Sequence, residues 1–167
     1  MIKYERVTEC AKSWMGTPFH PQARKKHMGC DCLGLILGIA SELSAVSFQD
    51  KKSLPAGPYD AYDYVRDSWM LKEEFKKHFI QANPDIHLGA ILLLEFPRLN
   101  RMHLAIVTEM SPDLDGDIKA SNDCIDLWYK RVFRIIHSCV NTGYVVEQTI
   151  PVIWRRAVVR TFDFCFF

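Results

Sequence analysis

The sequence predicts an α+β domain in which helices come first and an antiparallel sheet follows. Three observations carry this. Apolar residues recur at helical spacing near the start of the chain, and short β-rich runs separated by turns fill its second half. A chain of 167 residues that is 49% hydrophobic also fits one domain, residues 1–167, with a sizeable core, and no repeat, low-complexity tract or linker divides it.

Val7, Ala11 and Trp14 recur at helical spacing, so residues 2–15 are expected to form an amphipathic helix stopped by Gly16 and Pro18. A loop is expected from Thr17 to Cys30, with charge clustered at Arg24, Lys25 and Lys26. From Asp31 to Leu43 the chain is apolar on every side, the mark of a central helix packed all round, and Gly34 and Gly38 share a face that admits a close neighbour. Pro55, Gly57 and Pro58 mark another loop, followed by one or two helices through Tyr62, Val65, Trp69, Phe75 and Phe79 that end before Pro84. The period then changes. Runs at 89–96, 102–109, 133–140 and 144–150 are expected strands, and the run VIWRRAVVRTFDF can add another.

Charge narrows the partners. Lys+Arg 21 against Asp+Glu 20 leaves a net charge of +1, which argues against nucleic acid or an anionic membrane surface. Lys3, Glu5, Arg6 and Glu9 stand where a signal peptide needs an apolar core, and no segment approaches 18 uncharged apolar residues. A protein made in the cytoplasm without an export signal or membrane span is therefore expected. In that setting the six cysteines are expected to stay thiols.

The stretch GCDCLGLILGIASEL sets two cysteines one residue apart at the mouth of an apolar helix. A metal site, a redox pair and an activated nucleophile all compete as explanations. Asp31 is a good N-cap residue, which places Cys32 in the first helical turn, where unpaired N–H groups and the helix dipole favour a thiolate. A nucleophile also needs a base and a group that orients the base. His103 and His137 each lie inside an apolar strand pattern, His103 on the face of Ala105 and Val107, His137 on that of Ile135 and Cys139. Neighbouring strands would bring the two imidazoles side by side. The plainer readings are a small buried hydrophobe for Cys32 and a satisfied core histidine for each His. A zinc site from His27, Cys30 and Cys32 with Cys124 or Cys139 has poor spacing, and no metal or other cofactor is expected.

GTPF followed by GCDCLGLI, then HLAIV, then RIIHSCVNTGYVVE together resemble the NlpC/P60 cysteine peptidases, and the GCDCLGL form with the stretch from Pro58 to Trp69 is most similar to their phage and prophage subset. The resemblance is strong over residues 11–43 and fair over 88–107 and 133–150. It implies a papain-like fold with the nucleophile at a helix N-terminus packed on an antiparallel sheet. It also implies Cys32 as nucleophile, His103 as general base, His137 as orienting residue, and a peptidoglycan stem peptide as substrate, cut between D-glutamate and the following diamino acid. Without an export signal, such an enzyme would reach the wall with phage-tail or tail-like proteins or through a holin-type exit.

The chain departs from that family at two places. Phe19 stands where the family usually has a Tyr linked to the oxyanion site and substrate amine, leaving Gln22 or His20 as the replacement donor beside the Cys32 N–H. Leu33 replaces a Ser next to the nucleophile that helps bind a free amine, so a strict preference for free N-termini is not expected. Asp31, Phe19, His20, Gln22 and Leu33 are the candidate substrate-binding residues. Gly89-Ala90 replaces the family's Gly-Asp and is read as structural, and the acidic segment from Asp113 to Asp126 is expected to be a lid or partner surface. A catalytically decayed structural or peptidoglycan-binding subunit of a phage-tail-like particle is the competing function, and acyl transfer to an amine is a third.

Overall fold

A computed structural model describes residues 2–43, 79–81, 86–99, 101–111 and 132–164. The helices expected between 54 and 84, the acidic segment after Asp113, and Cys124 lie outside or almost wholly outside these residues.

Helix α1 spans Ile2–Lys12, three residues shorter than its apolar spacing suggests. Past Lys12 the N–H groups of Trp14 and Met15 turn to carbonyls three residues back, and Gly16 at φ 77 reverses the chain. Trp14 is nonetheless buried, because this tightened turn keeps it on the apolar side. The expected loop contains a small hairpin, β1 (Arg24–Lys25) with β2 (Gly29–Cys30). Helix α2, Cys32–Glu42, follows directly and is buried from Cys32 through Ala40.

Among the described residues the sheet has six strands, all paired antiparallel: β3 (Ile80–Gln81), β4 (Ile91–Phe96), β5 (Arg101–Met110), β6 (Phe133–Cys139), β7 (Tyr144–Thr149) and β8 (Val158–Asp163). Their order is β3-β8-β4-β5-β6-β7, so β8 returns to lie between β3 and β4. The run after Ile150 begins with a short helix, α3 (Val152–Arg155), before β8. Strand β4 starts at Ile91 rather than Gly89, because Gly89 takes φ 80 and Ala90 closes a turn onto His87. The chain from Gly16 to Phe19 runs along β7 and bonds Val145 and Gly143, which carries the loop before α2 to the sheet edge.

Both sheet faces are apolar, as alternation in a doubly covered strand requires. Leu93, Leu104, Ile106 and Ile136 pack against Val7, Trp14, Ile36 and Ile39 of the helical layer. Leu92, Leu94, Ala105, Val107 and Ile135 form a second core with Ile150, Ala157 and Trp154. The two glycines of α2 work as the sequence implies. A Cβ on Gly34 would overlap the Ala23 carbonyl oxygen, and one on Gly38 would overlap the Trp14 ring. No helix among the described residues is long and apolar enough to cross a membrane.

Candidate functional site

The start of α2 is built around one carboxylate. Asp31 adopts an extended N-cap conformation, and its Oδ1 accepts the Gly34 N–H at 2.7 Å. Its Oδ2 accepts the Gln22 N–H, also at 2.7 Å, tying the preceding loop to the helix. Gln22 is held at φ 60, a left-handed conformation that costs a non-glycine residue energy and that this bond helps offset. The Cys30 carbonyl accepts both the Ser138 hydroxyl at 2.8 Å and the His20 N–H at 3.1 Å. Cys32 is thereby fixed as the first helical residue, against the end of β6.

The two strands that face it part at this point. Their ladder runs from Met110↔Phe133 to Ile106↔Ile136 and stops. The Val107 N–H bonds Ala90 on the β4 side, so alternation turns the Leu104 N–H toward β6. With β6 splayed away, that N–H faces the Cys32 sulfur instead, together with the N–H groups of Leu33 and Cys32 itself. The thiol thus enters the seam between β5 and β6 beside the His103–Leu104 peptide.

A β-bulge decides where the histidines lie. Val107 pairs with Ile135 but Glu109 pairs with Arg134, so Thr108 is an extra residue on β5, its hydroxyl donating to Glu147 at 2.6 Å. In the register before the bulge, His137 would oppose Ile106 and lie on the face away from His103. The one-residue shift puts both imidazoles on the same face. Their rings stand edge to face, 5.0 Å between centroids, with His103 Nε2 and His137 Nδ1 2.9 Å apart. Trp154 of α3 packs edge-on against both, at 5.4 Å and 5.2 Å, and against Phe96.

Burial controls the charge states. It pushes the His103 imidazole down to about 3, with the neighbouring His137 adding to the effect, and lowers His137 to about 4 against the pull of Gln148. Burial likewise pushes the Cys32 thiol up to about 12, Asp31 adding to it, while the three N–H groups oppose the rise. The resting trio is therefore neutral. The helix N-terminus favours a thiolate in principle, but here desolvation outweighs it, a correction to the expectation from position alone. Among the described residues no hydrogen bond joins the thiol to either imidazole.

The depressed His137 makes stability depend on pH. Its folded pKa lies below the unfolded value of about 6.5, so the unfolded chain binds the extra proton first. Its contribution is fully present above pH 6.5 and is lost as pH falls toward 4, on the order of 3 kcal/mol in all. Denaturant titrations at pH 7, 5 and 4 are expected to show this decline together with that of His103, and His137→Asn is expected to make it shallower while the share of His103 remains.

The other candidates divide. Asp31, 3% exposed, serves as cap and loop clamp, and Leu33 packs into the helix-side core. Phe19 is half-buried, bridged to Cys30 and bonded through its N–H to the Gly143 carbonyl, and His20 is exposed with its Nδ1 near the Pro21 carbonyl. The half-buried Gln22 is clamped beside Asp31. Lys26 of the basic loop bonds Ser13 and Glu42. His87, for which the sequence suggests no role, meets Asp163 at 2.8 Å. Trp154, Ser138 and Gln148 escape sequence reasoning because their importance comes only from cross-strand neighbours. Cys10, Cys30, Cys32 and Cys139 are free thiols, and among the described residues no group of three His, Cys, Asp or Glu is placed to hold a metal. Comparison with protein-family models, curated proteins and solved structures found no match to this chain.

Proposed function

We propose that the protein is a cysteine peptidase of the NlpC/P60 kind that hydrolyses peptidoglycan stem peptides between D-glutamate and the following diamino acid. The observation that carries the reading is the pairing of the His103 and His137 imidazoles across β5 and β6, with His103 next to Leu104, whose N–H lies toward the Cys32 sulfur. In this reading His103 Nε2–H donates to His137 Nδ1, which leaves His103 Nδ1 free to take the thiol proton. The sulfur attacks the amide carbonyl as that proton moves, and the amine leaves with the proton. Water then gives a proton to His103 and its hydroxide to the thioester, which restores the thiol and releases the acid. The Cys32 N–H, with Gln22 or His20 as the second donor, stabilises the oxyanion.

Because the resting pair is neutral, proton transfer accompanies attack, and substrate draws thiol and base into bonding distance. Iodoacetamide labelling of Cys32 is accordingly expected to be slow at pH 7 and to rise about tenfold per pH unit through pH 10, without a plateau. A rate already level below pH 7 would show a standing thiolate and overturn the neutral-pair account.

The same buried thiol, not bonded to either imidazole, favours a second reading, a binding subunit of a phage-tail-like particle that has lost hydrolysis. Defined stem peptides separate the two. Release of the diamino acid amine supports the peptidase, and stoichiometric binding without release supports the binding subunit. Comparing free with blocked N-termini reads the effect of Leu33 and Phe19, and with an added amine acceptor the product mass distinguishes hydrolysis from acyl transfer.

A further inference from the structure

The His103–His137 contact can be made by two tautomers, and only one suits a base. If His103 Nε2–H donates, His137 accepts at Nδ1, must carry its proton on Nε2, and leaves His103 Nδ1 bare. If His137 Nδ1–H donates, His103 is protonated at Nδ1 and cannot accept a proton from a thiol there. The choice therefore rests on what meets His137 Nε2. That atom is buried, in a residue 1% exposed, and no described group reaches it in hydrogen-bonding geometry. An N–H left so would carry a desolvation cost, which a nearby acceptor relieves.

Register supplies the neighbour. His137 is opposite Val146 on β7, and Gln148, two residues further along, is opposite Ile135, so its side chain leaves the sheet on the face that carries both imidazoles. Gln148 is half-buried, and its side chain acts on the His137 ring.

We propose that Gln148 is a positioning residue whose amide oxygen, by a turn of its side chain on the shared sheet face, accepts the His137 Nε2–H and so fixes the tautomer that leaves His103 Nδ1 free. Ser138, the next residue on β6, turns to the other side and holds the Cys30 carbonyl, so thiol loop and imidazole relay are anchored from consecutive residues of one strand. The inference rests on the peptidase reading for its catalytic meaning, but the tautomer itself is readable without turnover.

The test is nitrogen-15 NMR of histidine-labelled full-length protein at pH 7, for wild type, Gln148→Met and Gln148→Glu. The wild type is expected to show His137 protonated at Nε2. Gln148→Met, similar in shape but without the amide, is expected to give mixed or Nδ1–H tautomer, and Gln148→Glu, which can only accept when ionised, to keep Nε2–H. His137 protonated at Nδ1 in the wild type, or an unchanged tautomer in Gln148→Met, would overturn the proposal. In turnover of stem peptide, Gln148→Met is expected to lose up to about 10²–10⁴ in kcat with KM unchanged, and Gln148→Glu to recover most of it. A wild type without turnover but with the expected tautomers would remove the peptidase reading and leave the role of Gln148 standing.

Discussion

His103→Ala is expected to lower kcat for stem-peptide hydrolysis by about 10²–10⁴ with little change in KM, the usual worth of a positioned general base. The reasoning is local. His103 lies on the strand residue just before Leu104, whose N–H faces the Cys32 sulfur, and its other nitrogen is engaged by His137 at 2.9 Å. Alanine removes the proton acceptor but leaves the β5 backbone in its ladder with β4, where His103 opposites Leu94. It also strips the buried His137 Nδ1 of its partner, which adds roughly 1–3 kcal/mol of destabilisation. His103→Asn keeps a side-chain polar group at that position without the imidazole base, so a matching loss of kcat in a stable Asn variant isolates the chemical role. Turnover near the wild-type rate in either variant would remove His103 from the base position.

Gly34→Ala is expected to be the most damaging small substitution near the site. An added methyl would overlap the backbone carbonyl of Ala23, which is itself held by the Asp31 N–H at 3.2 Å and cannot swing away as a side chain would. Either the loop from His20 to Ala23 moves, breaking the clamp between Gln22 and Asp31, or α2 shifts along the sheet. Overpacking of this kind costs about 3 kcal/mol, which for a chain of this size lowers Tm by about 6–12 °C. Differential scanning calorimetry reads it directly. Gly38→Ala meets the Trp14 ring instead, a side chain that can yield part of the way, so its loss is expected to be smaller. Equal Tm values for wild type and Gly34→Ala would contradict the close approach.

What was legible in the sequence was what local rules govern. Capping depends on residues within one helical turn, so Asp31 and the placement of Cys32 could be read from GCDCLGL alone. Alternation gave the face of each strand relative to its own neighbours, and the four strands expected between residues 89 and 150 all form. Pairing was another matter. That His103 and His137 share a face depends on a one-residue bulge at Thr108, for which the sequence carries no turn residue or glycine as a signal. The place of β8 between β3 and β4, and of Trp154 over both imidazoles, follows from chain return across the sheet, which no local period encodes. The neutral state of the Cys32 thiol is hidden from the sequence for a related reason. The helix terminus is visible in sequence, whereas burial depth belongs to the assembled layers.

The central claim is that Cys32 is the nucleophile of a peptide-bond hydrolysis, and mass spectrometry of peptidoglycan incubated with wild type and with Cys32→Ala tests it most directly. The account predicts new fragments ending at D-glutamate with wild type and none with Cys32→Ala, whose fold alanine at a buried first-turn position should preserve. Intact peptidoglycan after exposure to a folded wild type, or the same fragments from both proteins, would contradict it.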